Sequence, residues 1–421
     1  MATGARKFTN LVLLLGGFAT GQGAIFLAQT WLVARQDLAL LSAFGIHFSF
    51  VILAALVIDW GGVTVLARET AQHASQPRSA TEIWGAYWSM AAFRLLVGLV
   101  VGAAALVTFA ISSDVFTKAY LLAALPLILI WPFNLTGLLD GWRMSGISGI
   151  SAIPPYILAA LSIVLASGSE PETAGLIMGA ALSVGFALVV AIQFTFVQVT
   201  GRGPKWARPN WTNIWRAGQS GFGALWSTLP GQLYFRVQLI FAAAFLGEVA
   251  VAILIYAKQL VSGFSQLIAF MRRVEFPDLV ARLGAATGHP ISEILRVQQK
   301  GTLAAAISMI LLCTVGIVSG LVLKDAPASA GVAVAIFGPT VLSGAIALSF
   351  IQGLNALGLY SSAAIIMLFS VALGTALSSV TVAISSLAVL AFADVVANVL
   401  TVALACGLLH RRARSREQAS V

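Results

Sequence analysis

Long apolar runs follow one another along this chain, separated by short polar breaks, and within them the strict in–out alternation of a half-buried strand is missing. Twelve runs can be separated. They lie near Asn10–Val33, Ala39–Ile58, Ile83–Ile111, Ala119–Leu139, Gly146–Ala166 and Ala174–Val197, then near Ala217–Leu246, Val249–Phe270, Gly301–Leu323, Ser329–Phe350, Ser361–Val382 and Leu387–Leu409. Each approaches or exceeds the roughly 20 residues a helix needs to cross hydrocarbon. Backbone inside lipid has no water to bond with, so each run must satisfy its own amides as a helix.

The order of small motifs divides these runs into halves. Gly21-Gln22 in the first run is matched by Gly231-Gln232 in the seventh, Val65-Leu66-Ala67-Arg68 by Leu279-Val280-Ala281-Arg282, and Gly137-Leu138 by Gly353-Leu354. The offsets are 210, 214 and 216, and the matches fall in the same order at equivalent places. An even number of spans per half gives both halves the same orientation, which implies a parallel repeat about an axis along the membrane normal. The pattern thus predicts an all-α polytopic membrane protein, about twelve transmembrane helices in two six-helix halves around a central cavity. The halves are read as residues 1–200 and 217–421, joined by a basic cytoplasmic linker over 201–216.

Composition agrees: 59% of the 421 residues are hydrophobic and 9% charged, against about 25% charged in soluble domains. The net charge of +9 has a topological source. With the N-terminus inside, eighteen of the 24 Lys and Arg residues fall in inner segments and three (Arg35, Lys118, Lys324) in outer ones. This positive-inside bias puts both termini in the cytoplasm and removes any reason to expect nucleic acid as a partner. Arg6 and Lys7 precede a run too long for a secretory signal, which is read as a retained first helix. Cys313 and Cys406 lie within apolar runs and read as packing residues. The four histidines, His47, His73, His289 and His410, are scattered, so no metal site is expected.

The remaining three cations, Arg94, Arg236 and Lys258, lie inside the runs. At about 1.5 Å of rise per residue they stand some 14–16 Å from the nearer span ends. A cation at the bilayer centre costs roughly 2.5–3.5 kcal/mol, so each should face protein or a wet cavity. One acid, Asp394, is comparably placed, with Asn398 one turn on. It could bind a coupling proton or sodium ion, or neutralise a cation. The excess of cations points to an anionic ligand, with Arg94, Arg236 and Lys258 as candidate contacts. Gln22 and Gln232 join them, because spans one and seven carry polar and small residues and Pro230 should kink the latter. Asp59 with Arg68 and Glu69, and Asp140 with Arg143, form charged groups at the inner ends, a candidate cytoplasmic gate alongside the plainer reading of helix caps and solvated pairs.

Several segments resemble bacterial polysaccharide flippases. Asp59-Trp60-Gly61-Gly62 through Arg68-Glu69-Thr70-Ala71 is similar to their junction after helix two, and Trp131-Pro132-Phe133 with Gly137-Leu138 and Arg143 to their fourth-helix ending. Leu233-Tyr234, Gly247-Glu248, Tyr256-Ala257-Lys258-Gln259-Leu260 and Phe276-Pro277-Asp278-Leu279 resemble their helix seven–eight region. The pattern covers most of residues 10–300. Many such flippases carry an acid where this chain has Gln238, which leaves Asp394 as the intramembrane acid for ion coupling.

The resemblance places the chain beside the multidrug/oligosaccharidyl-lipid/polysaccharide exporter superfamily. It implies a non-enzymatic, cofactor-free transporter in the bacterial inner membrane, with a proton or sodium gradient as the candidate driving force. The implied cargo is an undecaprenyl-pyrophosphate-linked oligosaccharide, moved by alternating access through a cationic cavity. Membrane lipid, a polysaccharide polymerase and assembly proteins are the expected partners. The alternatives are a drug or cation antiporter of the same superfamily, a membrane glycosyltransferase on the same lipid carrier, and a non-transporting member of a glycan assembly complex. No outer loop exceeds about ten residues by this count of spans, which disfavours an outer-face enzyme. No nucleotide-binding loop is present in the sequence.

Overall fold

The computed structural model describes residues 2–35, 37–75, 80–246, 248–285, 289–322, 325–380, 384 and 386–419. Among them every regular element is a helix, and the chain divides into two compact units, Met1–Gly221 and Phe222–Val421.

The first unit contains α1 (Ala2–Ala34), α2 (Leu38–Asp59), α3 (Gly62–Ser75), α4 (Ala80–Ile111), α5 (Val115–Ile130), α6 (Thr136–Gly141), α7 (Ser145–Ser151), α8 (Ile153–Ala166) and α9 (Pro171–Val199). Two of its predicted spans are interrupted where proline dictates. A 3-10 turn, Trp131–Phe133 with Pro132 in its first turn, separates α5 from α6. Pro154 and Pro155 open α8, at positions whose amides need no helical partner. Helices α5 and α9 pack backbone to backbone, because a Cβ at Gly175 or Gly179 would stand 2.5 Å from the carbonyl oxygen of Phe116 or Tyr120. Leu127, Met178, Leu182 and Phe186 fill the core beside that contact.

α10 (Trp211–Trp226) begins inside the stretch read as a linker, of which residues 202–210 are non-helical. The second unit continues with α11 (Leu229–Phe245), α12 (Glu248–Ala285), α13 (Pro290–Val297), α14 (Gln299–Val322), α15 (Asp325–Phe337), α16 (Pro339–Ala356), α17 (Tyr360–Ser378) and α18 (Leu387–Ala419). Its core joins Leu254, Ala257, Phe337, Val341 and Leu390.

Among the described residues, 11 helical segments are long and apolar enough to span a membrane, one fewer than the sequence suggested. The seventh run, Ala217–Leu246, is divided into α10 and α11 at Ser227–Thr228. Pro230, in the first turn of α11, cannot donate to a continuous helix. The Ser227 and Thr228 hydroxyls bond the carbonyls of Ala224 (2.7 Å) and Leu225 (3.0 Å), so the break leaves those acceptors satisfied.

Two helix endings share one capping pattern, at an offset one position short of the Gly137-Leu138/Gly353-Leu354 match in the sequence. α6 closes with Trp142 N–H to Leu138 O (2.9 Å), Arg143 N–H to Asp140 O (2.9 Å) and Met144 N–H to Leu139 O (2.7 Å). α16 closes with Leu357 N–H to Gly353 O (3.1 Å), Gly358 N–H to Asn355 O (2.9 Å) and Leu359 N–H to Leu354 O (2.9 Å). Every partner is shifted by 215 positions. The left-handed residue of the cap is Arg143 (φ 61) in one half and Gly358 (φ 77) in the other.

Candidate functional site: two buried ion pairs

Arg94 of α4 is fully buried. Its Nε donates to the carbonyl of Asp59 (3.0 Å), its Nη1 to the carbonyl of Asn134 (3.3 Å), and its Nη2 forms an ion pair with the Asp59 carboxylate. The local backbone makes room for this. After Asp59 the chain turns through Trp60 (φ 52) and Gly61 (φ 70) into α3. A Cβ at Gly62 would stand 2.6 Å from the guanidinium, so glycine there lets the cation lie against the start of α3. The other Asp59 oxygen accepts from Val63 N–H (3.3 Å), and Trp60 Nε1 donates to Gly218 O (2.9 Å).

Further motif residues support this junction. A Cβ at Gly137 or Gly141 of α6 would meet the backbone oxygens of Val63 or Ala67 in α3, each at 2.7 Å. Gln193 of α9, also fully buried, accepts from Leu135 N–H (2.7 Å) and donates to Thr136 (3.1 Å) and Ser151 (3.0 Å). The segments that resemble flippase motifs in this half therefore build a helix junction. Arg94, expected to contact substrate, has no exposed surface here, and its partner is an acid assigned from sequence to the gate.

The second pair lies in the other unit. Lys258 of α12 forms an ion pair with Asp394 of α18, and the lysine side chain retains 16% exposure. Gln238 of α11, fully buried, donates to the second Asp394 oxygen (2.6 Å). The Lys258 ammonium stands 5.0 Å from the centre of the Phe337 ring and 5.8 Å from that of Phe235, within cation–π range. Tyr234, one turn from Gln238, meets Ser378 of α17 at 3.3 Å. Five helices thus contribute to a charge pair and its surroundings. The pair is neutral as a whole, which removes much of the cost of each ion alone. Of the two roles open to Asp394, the geometry displays charge neutralisation, and its partner is Lys258.

Arg236 is exposed on α11, and Gln22 is exposed on α1. The Gln232 side chain lies outside the described residues. Arg68 is half-buried on α3, and Arg143 is exposed at the left-handed turn, with its carbonyl accepting from Asn10 (2.9 Å). Asp140 is buried and accepts from Ser148 (2.9 Å). Among the described residues, no group of three or more His, Cys, Asp or Glu side chains could hold a metal.

A third buried cation escaped the sequence reading. Arg272 of α12, assigned to an inner loop, is fully buried and donates to Gln298 and to Thr302 (3.3 Å). Gln298 passes the network to Gln352 of α16 (2.8 Å). A signal was present: buried Phe276, Leu279, Val280 and Leu283 follow helical spacing, and Arg272 lies one turn before the first of them on the same face.

No family model matches the chain, and no curated protein matches it. Solved structures do. The bent form of a MATE transporter from Vibrio cholerae aligns with a TM-score of 0.71 at 14% identity, over 99% of this chain and 98% of that one. An outward-facing multidrug resistance MATE family transporter of the MOP superfamily gives 0.69 at 16%, over 98% and 96%. A MOP superfamily transporter from Pyrococcus furiosus gives 0.63 at 14%, over 97% and 96%; a reversed polarity of its binding pocket has been described as suggesting a different function. The chain has the fold of these transporters, built from two halves, and is a multi-pass membrane protein.

Proposed function

We propose that this chain, given a MATE-type fold, is a secondary transporter rather than an enzyme. We assign it an anionic, lipid-linked cargo: a polyprenyl-pyrophosphate-linked oligosaccharide moved between leaflets of a bacterial inner membrane by alternating access. The positive-inside pattern supports cytoplasmic termini for such a protein. One observation carries the choice of cargo: Asp59 and Asp394 are each occupied by a basic side chain, while Arg236 is exposed on α11. A cationic drug would have to displace a lysine or arginine to reach either carboxylate. The exposed Arg236 carries a guanidinium, a group suited to bidentate contact with a pyrophosphate.

Asp394 is the candidate for coupling. Adding a proton to it converts the neutral pair into a net positive site and releases Lys258 for an anion. Proton arrival and anion arrival then favour each other, by the reciprocity of linked binding.

The second reading is drug or cation antiport. It is supported by the MATE neighbours, one of them a multidrug resistance transporter. Leaflet-resolved translocation of a lipid-linked oligosaccharide in proteoliposomes, run beside efflux of a cationic dye, separates the two. The expected result is glycolipid movement that falls about tenfold in Arg236→Ala, with no dye efflux; a tenfold loss corresponds to about 1.4 kcal/mol. Dye antiport without glycolipid movement would establish the second reading.

A further inference from the structure

A cavity of about 320 Å³ opens in the first unit, lined by Thr70 and His73 of α3, Trp84 of α4, Trp142, Arg202 and Lys205. Its walls differ in chemistry. Trp84 and Trp142, with ring centres 6.4 Å apart, form an apolar side. Beside it lie cationic groups, and the backbone holds them in place. Helix α9 ends at Gly201 (φ 71), and Arg202 N–H returns to Val197 O (3.0 Å), a left-handed cap that needs glycine. The turn brings the Arg202 guanidinium to 5.3 Å from the centre of the Trp142 ring. Trp88 Nε1 fixes Lys205 by donating to its carbonyl (3.0 Å).

Arg6 of α1 reaches the same place and donates to the Trp142 carbonyl (3.4 Å). Burial lowers the pKa of Arg202, and the neighbouring Arg6 charge pushes it the same way. Like charges have thus been gathered at a cost that an anion would relieve. Glu82 stands 4.0 Å from His73 Nε2, and its side chain is 57% exposed.

A second observation points to a ligand. Thr70, a residue of the cavity lining, is 1% exposed, and its hydroxyl is buried without a hydrogen-bond partner. Such a group is costly unless something accepts from it. The surroundings indicate where that something comes from. Trp206, 74% exposed, packs on Trp88 at 5.2 Å beside Lys205, as tryptophan does at head-group depth.

We infer that this cavity binds the phosphate head group of an anionic membrane lipid. Arg202 and Lys205 contact the phosphate oxygens, Thr70 donates to one of them, and the two tryptophans cover the glycerol and upper acyl region. This holds whatever the transported cargo is.

The test uses the purified full chain in neutral detergent, with short-chain phosphatidylglycerol, short-chain phosphatidylcholine and inorganic phosphate as separate probes. Binding is read by native mass spectrometry and by thermal unfolding. Phosphatidylglycerol is expected to bind and raise the unfolding temperature. Its Kd should rise at least tenfold in Arg202→Gln/Lys205→Gln and several-fold in Thr70→Val. Thr70→Val removes a hydroxyl that bonds nothing in the protein, so its unfolding temperature without lipid should not fall. Equal binding of both lipids, unchanged Kd in these variants, or occupation by inorganic phosphate with no preference for the lipid would each overturn the assignment.

Discussion

Arg94–Asp59 and Lys258–Asp394 are both ion pairs between helices, yet they are built for different work. Arg94 is fully buried, and its guanidinium ties α4 to the end of α2 and to the turn after α5 through three acceptors. Two of those acceptors are backbone carbonyls, which have nowhere else to go. Lys258 has one carboxylate, two aromatic faces and residual exposure. An ammonium on a flexible stem can leave such a site, whereas a planar fork bound on several sides cannot leave without breaking a helix junction. Buried charge alone therefore does not mark a transport site. What distinguishes the two is how many acceptors would be stranded if the cation moved.

The largest effect should come from the first pair. Arg94→Ala leaves Asp59 buried without its cation, and removal of one partner from a buried pair costs about 3–5 kcal/mol. Loss of folded protein on size-exclusion chromatography, or a large fall in unfolding temperature in detergent, is expected. Arg94→Lys should restore only part of it, because one ammonium cannot reproduce the three-way geometry. Wild-type stability in Arg94→Ala with impaired transport would invert the comparison and return Arg94 to the substrate path.

The second pair should respond less in stability and more in function. Lys258→Met is expected to cost about 1–3 kcal/mol, since Asp394 keeps Gln238 and can take up a proton. Lys258→Met with Asp394→Leu should recover most of that loss, because replacing both partners of a buried pair with apolar groups is often neutral. Transport should be abolished in both, and its pH dependence altered in Asp394→Asn. A fully active double variant would remove this pair from the mechanism.

The contrast also shows what could be read without coordinates. Most apolar runs and a bend at Pro230 were legible because each is a property of one segment; the full break that divides the seventh run was not. The partners of the cations were not, because pairing depends on how far one helix is offset along another. α4 has 32 residues, about 48 Å at 1.5 Å each, against roughly 30 Å of hydrocarbon. The helix is therefore longer than the core, and a count along its own run does not fix the depth of Arg94. That is how a cation placed near mid-depth meets an acid on the last residue of α2. Arg272 failed for the opposite reason: a neighbouring Arg273 made it look interfacial, while α12 continues unbroken to Ala285. For Arg94, the apparent lack of a partner came from treating helices as if they began together.

The smallest predicted effect compares the halves at one residue. The caps of α6 and α16 share their hydrogen bonds, but the left-handed position is Arg143 in one and Gly358 in the other. An L-residue with a Cβ loses about 1–2 kcal/mol in that conformation relative to its ordinary one. Gly358→Ala should therefore lower stability by about 1 kcal/mol. Arg143→Gly should gain less, because the contacts of the arginine side chain are lost as the strain is relieved. Thermal unfolding of the two variants in one detergent measures the difference. If Arg143→Gly is more stable and transports normally, the arginine side chain serves no gate and its strained backbone is incidental. If it is more stable but transports poorly, the strain is being held there for function, and the candidate gate at Asp59, Arg68 and Arg143 gains its first direct support.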